Sequence, residues 1–140
     1  MESAVETKRD ETFEKESLDE KILRGNRFET VNQYLTLRRE GKTDHIASLF
    51  TEDALVTRAT ASSQDPVPVP YRGRERIKVY FRERPFDPSI PALIDAPVLE
   101  SNGTVSVLYT FFHTLGQIST RRWVFQFVNK GSQIETLTLH

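Results

Sequence analysis

The sequence predicts a single α+β domain in which three helices precede, and pack on, a curved sheet. Three observations carry this expectation. Apolar residues recur at helical spacing in the first half of the chain. The second half is rich in β-branched and aromatic residues, cut by Gly and Asn turn signals. The 140 residues suffice to bury one core and are too few for two.

Each element follows from local chemistry. The opening stretch MESAVETKRDETFEKES alternates acids and bases with almost nothing to bury. Residues 1–16 are therefore expected as a charged, mobile tail or a solvated helical extension, and residues 17–140 as the domain. SLDE, from Ser17 to Glu20, fits a capping box. A long first helix should follow, with Phe28, Val31 and Leu35 inward, Ile22, Tyr34 and Leu37 flanking, and Gly41 as the stop. Gly25 inside it costs about 1 kcal/mol relative to alanine. TDHIASLF makes a short second helix that leads into a strand from Ala54. SSQDPVPVPYRG alternates prolines and reads as an extended loop. GRERIKVYFRER resumes helical spacing through Ile77, Tyr80 and Phe81 until Pro85 stops it. After Pro91, ALIDAPVLE, TVSVLYTFFHTLG, ISTRRWVFQFVNKG and QIETLTLH predict four consecutive antiparallel strands.

Composition excludes several function classes. The formal net charge is −1, so no overall field draws the chain to nucleic acid or to a membrane surface. The chain has no cysteine, which removes thiol nucleophiles, disulfides and cysteine-based zinc sites. No run approaches a membrane span, and the charged N-terminus is unlike a secretory signal, so an intracellular location, cytoplasmic or nuclear, is expected. No phosphate loop, HExxH or nucleophile elbow is present. His45 adjoins Asp44, but neighbouring helix residues point in different directions. No metal and no cofactor is expected.

Strand alternation singles out side chains. Val56 and Arg58 share a face; on the core face the guanidinium requires an anionic ligand or a carboxylate such as Asp65. Trp123, Phe125 and Phe127 recur with period two and would form core, cavity wall or both, with Leu137 and Leu139 beside them. The strand from Thr104 is apolar on both faces, with Val105, Val107, Tyr109 and Phe111 on one and Leu108 and Phe112 on the other. That excess predicts a covered outer face and hence a homodimer, with Val107, Tyr109 and Phe111 expected in the interface; a different partner chain would serve equally. Helix three gathers Arg72, Arg74, Arg76, Lys78, Arg82 and Arg84 against Glu75 and Glu83. These cations read as a solvated face, an acidic protein partner's surface or a phosphate-binding cluster.

FTEDALV and YRGRERIKVYF, in this order of elements, resemble the nuclear transport factor 2-like superfamily, which includes SnoaL-like cyclases, ketosteroid isomerases and scytalone dehydratases. The resemblance runs from Ser17 to His140 and is most specific at Asp53 to Val56 and Arg72 to Ile77. It implies a cone-shaped α+β barrel, with the helices in the concave face of a strongly curved, mainly antiparallel sheet, an apolar pocket, and dimerisation through the sheet. It also implies that Tyr34 matches the isomerases' oxyanion-hole tyrosine. Their general-base aspartate corresponds to Arg58, which cannot accept a proton, and their second oxyanion donor to Trp123.

The expectation is a homodimer binding a small apolar or anionic ligand or a peptide, without catalysis. Its pocket would hold Tyr34, Val56, Arg58, Tyr71, Trp123 and Phe125. The alternatives are a SnoaL-like isomerase, cyclase or dehydratase, with Tyr34, Asp53 and His113 among the candidate catalytic groups, and an assembly module working through its sheet face.

Overall fold

The structure, a computed structural model, describes residues 2–59, 70–86, 92–112 and 115–140, with side chains from residue 18 onward. Helix α1 spans Glu2–Glu40. It is continuous through Ser17, so the expected capping box is not its start. Helix α2 spans Thr43–Ser48 and α3 Arg74–Glu83. Gly73 precedes α3 with φ +91°, a conformation that glycine adopts without the penalty of a Cβ.

The strands are β1 (Phe50–Arg58), β2 (Tyr71–Arg72), β3 (Ala92–Ile94), β4 (Val98–Leu99), β5 (Val105–Phe112), β6 (Ile118–Phe127) and β7 (Ile134–Leu139). Their order is β2-β1-β7-β6-β5-β3, with β4 also paired to β5. Every pairing is antiparallel except β1 with β7. The sheet is curved and unclosed, with β2 and β3 as its ends, which is the expected cone. Register shifts between Phe50 and Leu55 in β1 and between Gln126 and Phe127 in β6 supply local bends.

Two departures from expectation have backbone causes. The stretch ALIDAPVLE forms β3 and β4 rather than one strand, because Pro97 has no N–H to give to β5. Tyr71 and Arg72, expected in the loop, form β2, whose register matches Tyr71 to Val56.

The core lies between the helices and the concave sheet face. Val31, Tyr34 and Leu35 from α1, Ile46 and Ala47 from α2, and Ile77, Tyr80 and Phe81 from α3 meet Ala54, Val56, Val105, Val107, Trp123, Phe125, Ile134 and Leu137. Arg27 ties α1 to the strand-connecting turns by donating to the carbonyls of Gly131 (2.8 Å), Gly103 (3.0 Å) and Val128 (3.2 Å).

The interface residues expected at the sheet's outer face require correction. Val107 is 0% exposed inside the protomer. Its register partner is Trp123, and Tyr109 and Phe111 alternate with it on the same concave face. The period was right and the face assigned to it was wrong. The outer face carries Leu108, Thr110 and Phe112, flanked in register by Leu93 and Ile118; Leu93, Leu108, Phe112 and Ile118 are all exposed.

Candidate functional site

A cleft of about 240 Å³ opens where several elements end on the concave side. Arg38 comes from the last turn of α1; Tyr80, Arg84, Pro85 and Phe86 come from α3 and the residues after it. The sheet supplies Arg58, Tyr109, Arg121, Trp123, Leu139 and His140. Arg58 pairs in register with Leu139, and Leu139 with Trp123. The sheet therefore carries Arg58 and Arg121 on opposite sides of β7.

Among the described residues, four guanidinium groups and no Asp or Glu side chain line this space, although Arg84 Nη1 lies 3.7 Å from Glu83 Oε2. Aromatic faces hold three of them. The Arg38 guanidinium carbon lies 4.5 Å from the Phe86 ring centroid and 4.9 Å from that of Phe81. Arg84 lies 4.3 Å from Tyr80 and 5.4 Å from Tyr71, and Arg121 lies 5.6 Å from Phe111. A stacked guanidinium keeps its N–H edge for hydrogen bonds, the geometry that matches a planar oxyanion. Arg38 Nη1 donates to the Arg84 carbonyl at 2.7 Å, and Arg84 Nη1 to the Tyr80 carbonyl at 3.4 Å, so both help close the end of α3. Arg38 Nε is buried and has no hydrogen-bond partner among the described residues.

The aromatic wall is laminar. Tyr109 and Trp123 are inclined by 17° with centroids 5.2 Å apart. Phe86 lies within 3° of Tyr109 and 14° of Trp123. Beneath them Tyr34 is 1% exposed and packs edge-on against Phe81, Trp123 and Phe125. Burial pushes the Tyr34 phenol well above its ordinary pKa, and Arg38 opposes this only in part. Tyr80 is raised for the same reason against the pull of Arg84, Arg38 and Arg58. Both phenols stay neutral at physiological pH and can donate a hydrogen bond; neither is an available base.

Of the residues expected in the pocket, Arg58 and Trp123 line the cleft. Tyr34, Val56 and Phe125 form the buried layer under it, and Tyr71 stands beside it, its hydroxyl 3.5 Å from Arg84 Nη2. Asp53 is exposed on β1 and is not among the residues that line this cleft. His113 and Asp65 lie outside the described residues. Arg38, Arg84, Arg121, Phe86 and Tyr109 were not picked out as pocket residues. Two signals were available: Arg38 is one helical turn beyond Tyr34, and Arg121 is two strand positions before Trp123.

The helix-three cations do not form one patch. Arg74 donates to the Phe50 carbonyl at 2.8 and 3.0 Å, Arg76 lies over Tyr71, Lys78 pairs with Glu75 at 3.1 Å, and Arg84 turns into the cleft. No group of three potential metal-ligating side chains occurs among the described residues. Among the described residues no helix is long and apolar enough to cross a membrane.

This arrangement of long helix, curved sheet and lateral cleft defines a class before any sequence relative does. No protein-family model matches the chain, and no curated protein matches it. Solved structures do. A protein of unknown function with a cystatin-like fold from Methylobium petroleophilum superposes with a TM-score of 0.63 at 15% identity, over 84% of this chain and 76% of that one. A nuclear transport factor 2-like protein of unknown function from Burkholderia xenovorans gives 0.62 at 15% identity, over 85% and 84%. An epoxide hydrolase/cyclase-like enzyme with a role in pyran ring formation in the polyether salinomycin gives 0.58 at 18% identity, over 81% and 88%. The chain has the nuclear transport factor 2-like cone fold. At these identities the likeness defines the fold and carries no activity with it.

Proposed function

We propose that this protein binds a small organic anion with an apolar body, as a binding protein rather than an enzyme. One observation carries the reading: Arg38, Arg58, Arg84 and Arg121 line one cleft with Phe86, Tyr109 and Trp123, and among the described residues no Asp or Glu side chain lines it. Like charges gathered at partly buried positions repel, and an oxyanion offsets that repulsion while accepting charge-assisted hydrogen bonds. The volume of about 240 Å³ lies below the range that holds drug-sized ligands, so the ligand is small. Guanidiniums cannot serve as bases and the Tyr80 phenol is held neutral, which favours binding over proton transfer at these groups, while the His140 imidazole also lines the cleft. The protein acts as a homodimer, its outer sheet face covered by a second copy.

Titration calorimetry with benzoate and with its neutral amide, benzamide, tests the binding function. Benzoate is expected to bind and benzamide not, with Arg58→Gln weakening benzoate. Equal behaviour of acid and amide would remove the proposal.

A further inference from the structure

Phe86 reaches the cleft by a route that no repeating pattern supplies. Helix α3 ends at Glu83 and Pro85 bars a further turn, so Arg84, Pro85 and Phe86 cross from the helix end to the sheet. Arg38 holds this crossing. Its Nη1 donates to the Arg84 carbonyl at 2.7 Å, and its guanidinium carbon lies 4.5 Å from the Phe86 centroid and 4.9 Å from that of Phe81. The Phe86 ring thereby stands within 3° of Tyr109 and 14° of Trp123, which sit diagonally on the paired strands β5 and β6.

The three centroids are 5.2, 5.8 and 6.0 Å apart. A ring inserted between two parallel others needs them about 7 Å apart, twice the carbon contact distance, so nothing slides between these. A ligand can only lie against the outside of the set, where all three planes run nearly the same way. A flat conjugated body can run parallel to them, whereas a puckered one loses that contact.

Resting on the binding function proposed above, we infer that the ligand is an aromatic acid, a flat conjugated ring bearing one oxyanionic group, and that Phe86 is the residue that selects it. The guanidinium-lined cleft takes the oxyanion of a flat or a puckered acid alike; the aligned rings tell their bodies apart. Of the three rings, Phe86 is the one brought in from outside the sheet, so it completes the aligned set.

Titration calorimetry of the whole chain with benzoate, cyclohexanecarboxylate and the neutral amide of each tests this inference. The cyclohexane body has the larger apolar surface, so burial alone would rank the puckered acid first. The expected order is the reverse, with benzoate tighter by roughly three- to tenfold, the worth of one aromatic contact beyond its buried area. Phe86→Leu keeps an apolar side chain and should bring that ratio to about one. Circular dichroism checks its fold, and Phe86→Met takes its place if leucine is not accommodated. Equal or tighter binding of cyclohexanecarboxylate to the unaltered protein would overturn the aromatic ligand while leaving anion binding intact. An undiminished ratio in the folded Phe86 variant would overturn selection by that residue. Failure of both acids to bind, or amides that bind as tightly as their acids, would remove the underlying function as well.

Discussion

Arg58 shows how far alternation along one strand can reach. Its pairing with Leu139 puts it on the concave face with Val56, as period two requires, and into the cleft. Arg58→Leu is expected to weaken benzoate binding by roughly 1.5 to 3 kcal/mol in titration calorimetry, and unchanged binding would take Arg58 out of the site. Tyr34 gives a second residue-scale expectation. Its folded-state pKa is raised, so the neutral phenol's contribution is complete below the unfolded value of about 10 and is lost as pH climbs from there towards the folded value. Thermal melts should show stability falling above about pH 10, and Tyr34→Phe should flatten that limb. An unchanged slope in the variant would show that other groups govern it. Arg121 could have been found by counting back from Trp123. Arg84 could not, because it follows the last turn of α3, where helical spacing no longer says which way a side chain turns.

At the scale of elements, periodic patterns were legible and interruptions were not. Of the inward stripe expected for α1, Val31 and Leu35 are buried and Phe28 is half-buried, while Tyr34, expected on the flank, is buried with them. The start of α1 was misread because a capping box marks a possible N-terminus and cannot forbid the helix from continuing upstream. Likewise β2 is too short for a periodic signal and exists through its register with β1. Gly25 lies within α1, exposed, and a Cβ built there meets nothing within 4 Å. Gly25→Ala should therefore stabilise the protein by about 0.5 to 1 kcal/mol, chiefly by narrowing the unfolded ensemble, and raise the melting temperature. Gly103 is the contrasting case. Its φ is +87° and its added Cβ would lie 2.7 Å from Arg27 Nη1, so the residue both forms the turn and makes room for the arginine latch.

At the scale of the whole molecule, the fold class was legible because three helical patterns and a run of β-rich segments leave few ways to share one core. Non-closure of the sheet was not legible, since it depends on which strands become ends. What remains is the outer face, and there the structure changes the experiment. Val107 belongs to the core, Tyr109 lines the cleft and Phe111 shares their face of the sheet, so charging them would test folding and binding rather than assembly. Leu93, Leu108, Phe112 and Ile118 lie on the opposite face, with exposures of 57%, 37%, 38% and 61%. A contiguous apolar set of this kind on an open sheet is costly to leave in water. Two copies covering it would bury on the order of 1,600 Å² in total, the size of a stable interface. Light scattering at low micromolar concentration is expected to give twice the 16.2 kDa chain mass. Leu108→Asp combined with Phe112→Asp should yield a folded monomer, because both side chains point away from the core and a buried, unpaired carboxylate is strongly disfavoured in an interface. Benzoate affinity should survive in that variant, since the cleft is built from one chain. A monomeric wild-type protein would rule out the homodimer and leave the cleft argument untouched.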